Sequence, residues 1–269
     1  MAARRWRPSA FLQASAWCHG AALAGAVAAP GAWPWALGAV AANHVLITAA
    51  GLLPRMRWLG PNITRLPPAP AGQGRVAITI DDGPDPEVTP RLLDLLDEQG
   101  LRASFFLIGH RAERHPALCR AITERGHRVE NHGYSHSHAL SLFGPAKLRA
   151  DIARAQALLS DFSGQAPRFF RPTAGLRNLF LEPVLCGLDL QLAAWTRRGY
   201  DTRKSDPGIV LARLTRGLAD TDILLLHDGH AARDAQGQPV LLSVLPALAQ
   251  QLRARHLSAV TLHQAIQPA

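Results

Sequence analysis

The chain has 269 residues, 48 % hydrophobic and 18 % charged, which excludes a disordered polymer and allows one large domain or a small module joined to a domain. Of its 29 basic residues, six (Arg4, Arg5, Arg7, Arg55, Arg57, Arg65) fall in residues 1–73 with no acidic residue beside them, leaving 23 basic against 20 acidic residues beyond. The formal charge of +9 is therefore no dense basic patch, and nucleic acid is excluded as the main partner.

From Pro8 to Pro54 there is no Asp, Glu, Lys or Arg, a span long enough for two membrane crossings of roughly 20 residues each. Helices are expected over 10–29 and 35–53, broken at Pro30-Gly31-Ala32-Trp33-Pro34-Trp35, where prolines stop a helix and tryptophans suit the headgroup region. Arginines on both flanks and none in the turn give the expectation that both ends, and the domain that follows, face the cytoplasm of a bacterial-type inner membrane. A secretory signal, a single anchor or a buried helix pair are the other readings. The expected organisation is a transmembrane hairpin (1–54), a Pro-rich extended linker (55–73, with Pro61, Pro67, Pro68 and Pro70) and a globular domain (74–269). Cys18, Cys119 and Cys186 are too scattered for a disulfide framework or a cysteine zinc site and read as small buried hydrophobes.

Beyond Gly74, strands are expected at Val76–Ile80, Ala103–Ile108, His127–Glu130, Arg168–Phe170, Leu190–Trp195, Ile223–Leu226 and Ala259–Leu262. Helical spacing appears between them, for example Leu92, Leu93, Leu95 and Leu96, or Leu148, Ile152, Ala155 and Leu159 from about Pro145. Seven strand–helix alternations argue a parallel α/β fold, open or closed into a barrel, with reactive groups where strands end and loops begin.

The motifs fall there. The first strand ends in Asp81-Asp82-Gly83-Pro84, two adjacent carboxylates at a turn. The third ends in His132-Gly133-Tyr134-Ser135-His136-Ser137-His138, where histidines four apart can aim at one ion and His138 competes for it. Two imidazoles and one carboxylate suit a catalytic Zn²⁺ or a related divalent ion, with a second carboxylate as base for the attacking water. Arg171 closes the fourth strand, and Leu224-Leu225-Leu226-His227 delivers a histidine, a candidate general acid, to the same rim.

These residues resemble the polysaccharide deacetylase family, whose module is the NodB homology domain, over nearly all of residues 74–265. Thr79 to Pro86 is similar to its Thr-Phe-Asp-Asp-Gly-Pro motif, His132 to His136 to its His-(Ser/Thr)-x-x-His motif, and Arg171-Pro172-Thr173-Ala174-Gly175 to its Arg-Pro-Pro-Tyr-Gly segment. Trp195 to Asp201 looks like its Trp…Asp segment, and Leu226-His227-Asp228 like its Leu-His-Asp motif. The resemblance implies a distorted (β/α) barrel of about seven parallel strands and hydrolysis of N-acetyl groups on amino sugars. It assigns Asp82, His132 and His136 to one divalent metal (Zn²⁺, or Co²⁺, Ni²⁺ or Mn²⁺), Asp81 to base and His227 to acid work. Arg171 would keep Asp81 ionised, Asp201 would orient His227, and Ala174 and Leu225 would form the oxyanion and substrate contacts.

Gly133 stands where the family has Ser or Thr, removing a hydroxyl that could brace the metal loop. Ala174 stands where it has Tyr, and Arg198 and Thr202 where it commonly has Asp and Trp. The expected substrate is thus a smaller or lipid-linked amino sugar, a glycan or glycolipid met at the membrane by a monomeric enzyme. An N-formyl or other amide hydrolase of the same chemistry, or a catalytically silent sugar-binding barrel, are the alternatives.

Overall fold

The computed structural model describes residues 4–69 and 73–266, so that Pro70 and its neighbours 71 and 72 in the expected linker lie outside the described residues. Helices α1 (Ala10–Ala28) and α2 (Trp33–Leu52) are followed by β1 (Gly74–Asp81), α3 (Val88–Glu98), β2 (Ala103–Leu107), α4 (Gly109–Arg114), α5 (Pro116–Glu124) and β3 (Arg128–Asn131). Then come α6 (Pro145–Ser163), β4 (Phe169–Phe170), α7 (Leu181–Cys186), β5 (Gln191–Leu192), β6 (Arg197–Arg198), α8 (Pro207–Thr215), β7 (Ile223–His227), α9 (Val240–Ala254), β8 (Leu257–Val260) and α10 (Leu262–Ala265).

The strands pair in parallel in the order β5-β4-β3-β2-β1-β7-β6, and β8 joins β1 along Gly74–Ala77. This is the expected parallel α/β half-barrel, with β6 as a two-residue addition that its charged sequence did not announce. The last strand ends at Val260 because Thr261 and Gln264 form a capping box that starts α10.

Strand side chains alternate, and here both faces are buried. Ile78, Ile80, Phe105, Leu107, Leu224 and Leu226 point to the layer covered by α3, α5 and α9. Ala77, Phe106, Phe169, Ala193 and Leu225 fill the barrel interior. By the same alternation Asp81 shares the interior face with Ala77. The register aligns Asp81 with His227 and Phe106, and Asn131 with Leu107 and Phe170, so the C-terminal strand ends lie level on one rim.

Helices α1 and α2 pack together through a buried hydrogen bond of 2.6 Å from Asn43 Nδ2 to Ser15 Oγ. Their outer faces expose Trp17, Leu23, Val27, Trp35 and Val45. Among the described helices, the 23-residue segment Pro30–Leu52 is long and apolar enough to cross a membrane, a property shared by anchors and signal sequences. Cys119 and Cys186 are buried and Cys18 half-buried, all three free.

Among the described residues between α2 and β1 there is no helix or strand, but the segment is pinned to the barrel. Ile63 bridges to Ala193, Leu66 N–H donates to Thr221 O at 2.8 Å, and Leu59 and Leu66 are buried. The segment thus spans from the β5 edge toward the start of β7, using backbone groups that an open edge would expose.

Candidate active site

Asp81 ends β1 facing inward, and Asp82 follows in a left-handed backbone conformation (φ +75°) that turns its carboxylate to the same cleft. The turn is held by Asp228, whose buried carboxylate accepts from Thr89 Oγ1 at 2.6 Å and from Gly229 N at 2.9 Å. A Cβ at Gly83 would meet that carboxylate at 2.5 Å, so only glycine fits between the two loops. Burial pushes the Asp228 carboxyl up to about 7.

Asp82 Oδ1 lies 3.3 Å from His132 Nε2 and 3.0 Å from His136 Nε2, and one ligand atom from each residue falls within 4.8 Å of the others. These separations match the edge of about 3.3 Å between neighbouring ligands of a tetrahedral ion held at roughly 2.0–2.1 Å, so the donor set fits a divalent metal. His132 Nδ1 is tied to Arg171 O at 2.6 Å, which leaves Nε2 to face the cluster. Although Asp82 is buried, its bonds with His132, His136 and His230 hold its carboxyl far below the ordinary range. Burial alone would lower His132, yet Asp81 and Asp82 raise it; His136 is lowered, burial being the main cause. His138 lines the cleft edge-on to His136, ring centroids 5.7 Å apart, and is outside the three-ligand group.

Arg171 is only 1 % exposed, and each of its three guanidinium nitrogens donates, together reaching Asp81 Oδ1 at 2.6 Å, Thr79 Oγ1 at 2.9 Å, Ala193 O at 3.0 Å and Ala194 O at 2.8 Å. Its guanidinium lies 4.0 Å from the Phe106 ring centroid. Asp81 Oδ2 is left on the cluster side, 3.9 Å from His132 Nε2. Across the cleft, fully buried Asp201 accepts from His227 N at 2.7 Å and pairs with His227 Nδ1 at 2.9 Å. Burial opposes the imidazolium, but Asp201, with Asp81 and Asp82, raises the His227 pKa above its ordinary value.

A cleft of about 320 Å³ collects Asp81, Asp82, His132, His136, Ala174, Leu225 and His227, with Arg171 and Asp201 behind them. Ala174 sits in a single turn at φ +55°, and neighbouring Thr173 presents a buried hydroxyl with no partner. Trp195 supplies an aromatic wall. The structure therefore brings every site residue expected from the sequence to this cleft or directly behind it.

Three supporting residues were not anticipated. Asp151 of α6 accepts from Tyr134 N at 2.9 Å and Ser135 N at 3.1 Å, bracing the histidine loop from below. Gly133 is at φ +77°, and a Cβ there would stand 2.9 Å from Asp151 Oδ2, so the carboxylate occupies the place of the missing hydroxyl brace. His230 Nδ1 approaches Asp82 Oδ2 at 3.2 Å while Arg111 Nη2 approaches His230 Nε2 at 2.9 Å. Arg111 can only donate, so that Nε2 accepts and Nδ1 carries the proton toward Asp82.

With an arginine-held carboxylate on one side of a candidate ligand set and an aspartate-held imidazole on the other, fold and site have the form of a metal-dependent hydrolase. The profile of polysaccharide deacetylases matches residues 69–189. The chain is 34 % identical over 186 residues to a peptidoglycan-N-acetylglucosamine deacetylase of Bacillus cereus, covering 68 % of this chain and 85 % of that protein. It is 33 % identical over 168 residues to a chitooligosaccharide deacetylase of Bradyrhizobium sp., 60 % of this chain and 73 % of that one. A family 4 carbohydrate esterase from Streptomyces lividans, solved with acetate, superposes with a TM-score of 0.64 at 30 % identity, covering 73 % of this chain and 98 % of the other. The chain belongs to the polysaccharide deacetylase family.

Proposed function

We propose that this protein removes the N-acetyl group from a membrane-associated amino sugar, using one divalent metal ion held by Asp82, His132 and His136. The observation that carries the reading is the meeting of these three ligand atoms within 4.8 Å beside an arginine-held Asp81 and opposite an aspartate-held His227. The mixed N/O donor set suits Zn²⁺, with Co²⁺, Ni²⁺ or Mn²⁺ as substitutes. An ion bound there supplies Lewis acidity toward the acetamide carbonyl and lowers the pKa of the attacking water.

Asp81 uses its free Oδ2 to take a proton from the water as its oxygen bonds to the acetamide carbon. Arg171 positions Asp81 and balances its charge in the buried site. The Ala174 amide donates to the developing oxyanion, and Leu225 packs against the acetyl methyl. As the C–N bond breaks, His227, its Nδ1 held by Asp201, gives a proton from Nε2 to the leaving amine. The products are acetate and a free amino sugar.

Relatives named for peptidoglycan and chitooligosaccharide support an amino sugar as substrate. The segment 1–54 as a membrane hairpin, with 55–73 leading to a catalytic domain over 74–269, would hold the enzyme at the bilayer surface as a monomer. Arginine on both flanks favours the cytoplasmic face. That face excludes the cross-linked wall polymer and favours a lipid-linked sugar. Incubating the metal-loaded full chain in detergent with N-acetylglucosamine oligomers and with an N-acetylglucosaminyl glycolipid, and assaying acetate, tests the reading. Release from the glycolipid supports it, formate release from an N-formyl analogue in preference to acetate favours the amidase alternative, and no release by metal-bound protein refutes it.

A further inference from the structure

The mouth of the active site is built partly from the end of α2. Arg177 N donates to Gly51 O at 3.0 Å, and a Cβ at Gly175 would meet Pro54 Cβ at 2.6 Å and the Trp195 ring at 2.8 Å. The turn carrying Ala174 therefore rests directly on the residues that leave α2. Beside it lies a second hollow of about 270 Å³, lined by Pro54, Arg55, Trp195, Thr196, Arg198 and Tyr200. Trp195 and Arg198 line both this hollow and the catalytic cleft, so the two adjoin at these side chains, and Arg203 lines the catalytic side.

Charge along this path is unbalanced. Arg55, Arg198 and Arg203 form no ion pair among the described residues, and the acidic groups lining the two hollows are Asp81 and Asp82 at the far end. Arg55 spends one donor on Thr196 O at 3.1 Å. Arg198 lies against Trp195 and Tyr200, with its guanidinium carbon 5.5 and 5.1 Å from their ring centroids, and its Nε is buried without a partner. A buried guanidinium donor left unpaired is costly, and planar arginine forks bind the oxygens of carboxylate and phosphate, of which a phosphate has the charge and the oxygens to engage several arginines.

Resting on the deacetylase reading above, we infer that Arg55, Arg198 and Arg203 form a subsite for a phosphate attached to the amino sugar, whose lipid chain enters from the bilayer beside the end of α2. The phosphate sits over the Trp195–Arg198 junction while the N-acetyl group reaches the Asp82–His132–His136 cluster. The glycan-like portion is then one sugar long, in keeping with a cleft of about 320 Å³.

The test uses the metal-loaded full chain in nanodiscs with three probes: N-acetylglucosaminyl phosphate esterified to a long-chain alcohol, a neutral glycoside of the same alcohol, and soluble N-acetylglucosamine 1-phosphate. Binding is measured by native mass spectrometry and turnover by acetate release. The inference expects kcat/KM at least tenfold higher for the phosphate-linked lipid than for the neutral one, and a fall of about tenfold in that ratio in Arg198→Gln and in exposed Arg203→Gln. Equal handling of the two lipids, or equal losses on both in each variant, overturns the subsite. Equal KM for the soluble sugar phosphate overturns the membrane route. Arginine-dependent binding of the phosphate-linked lipid without any turnover supports the subsite and counts against the deacetylase reading instead.

Discussion

Replacing Asp151 by Ala tests whether the metal-binding loop is held from outside the ligand set. The half-buried carboxylate accepts two backbone N–H bonds, from Tyr134 at 2.9 Å and Ser135 at 3.1 Å, within the loop joining His132 to His136. Hydrogen bonds to a charged group contribute about 1.5–3 kcal/mol each, and partial exposure puts these at the lower end, roughly 3 kcal/mol together. Part of that loss appears as lower stability and part as a loop that no longer presents His136 to Asp82. Loss of such outer support commonly weakens metal binding by about 10–100-fold, or roughly 1.4–2.7 kcal/mol. Competition with a chelator of known affinity measures it. Gly133→Ser supplies the second leg of a double-mutant cycle, because the added Cβ would stand 2.9 Å from Asp151 Oδ2 at φ +77°. Its cost should fall in the Asp151→Ala background to the left-handed backbone term of about 1–2 kcal/mol. Unchanged metal affinity in Asp151→Ala, with additive stability losses in the pair, would refute the bracing argument.

Asp201→Asn removes the charge that raises His227. A general acid works while protonated, so the alkaline limb of kcat/KM should move to lower pH, whereas a uniform loss with an unmoved limb would make Asp201 merely structural. The raised pKa also stabilises the fold fully below the unfolded value of about 6.5 and loses that effect as pH rises through the native value. The melting difference between wild type and Asp201→Asn should therefore narrow with rising pH. His230→Ala removes the 3.2 Å contact with Asp82 Oδ2 and should weaken metal binding by about tenfold, in the low range because His230 is 55 % exposed; equal affinity in chelator competition contradicts this role. Arg171→Met leaves Asp81 buried without its counter-charge and should cost about 3–5 kcal/mol in urea unfolding, a loss under 1 kcal/mol being inconsistent with the pairing.

The catalytic rim was legible because its signals are local. Apolar runs end in Asp81, Arg171 and His227, and histidines four apart end another. The parts that were not legible depend on contacts distant in sequence. The apolar run Leu190–Trp195 reads as a full strand, yet β5 is only Gln191–Leu192, with Ala193 adding a last bond to Phe170 O, since beyond it the carbonyls of Ala193 and Ala194 serve Arg171 and the Ala194 amide serves Ile63. Arg197–Arg198 has no strand-like composition and is placed by pairing with Leu224–Leu225. Asp151 reads as one more polar residue on an amphipathic helix, and nothing near Arg111 or His230 in sequence links them to Asp82. The prolines around Leu66 suggest a loose tether, while its buried side chain shows a segment packed on the barrel.

The most direct check is the metal content of the purified full chain, read by elemental mass spectrometry alongside acetate release, in wild type, Asp82→Ala and His132→Ala. Near one equivalent of divalent metal with turnover in wild type, and loss of both in each variant, is the expected result. Metal retained at full occupancy with undiminished turnover in either variant would contradict it.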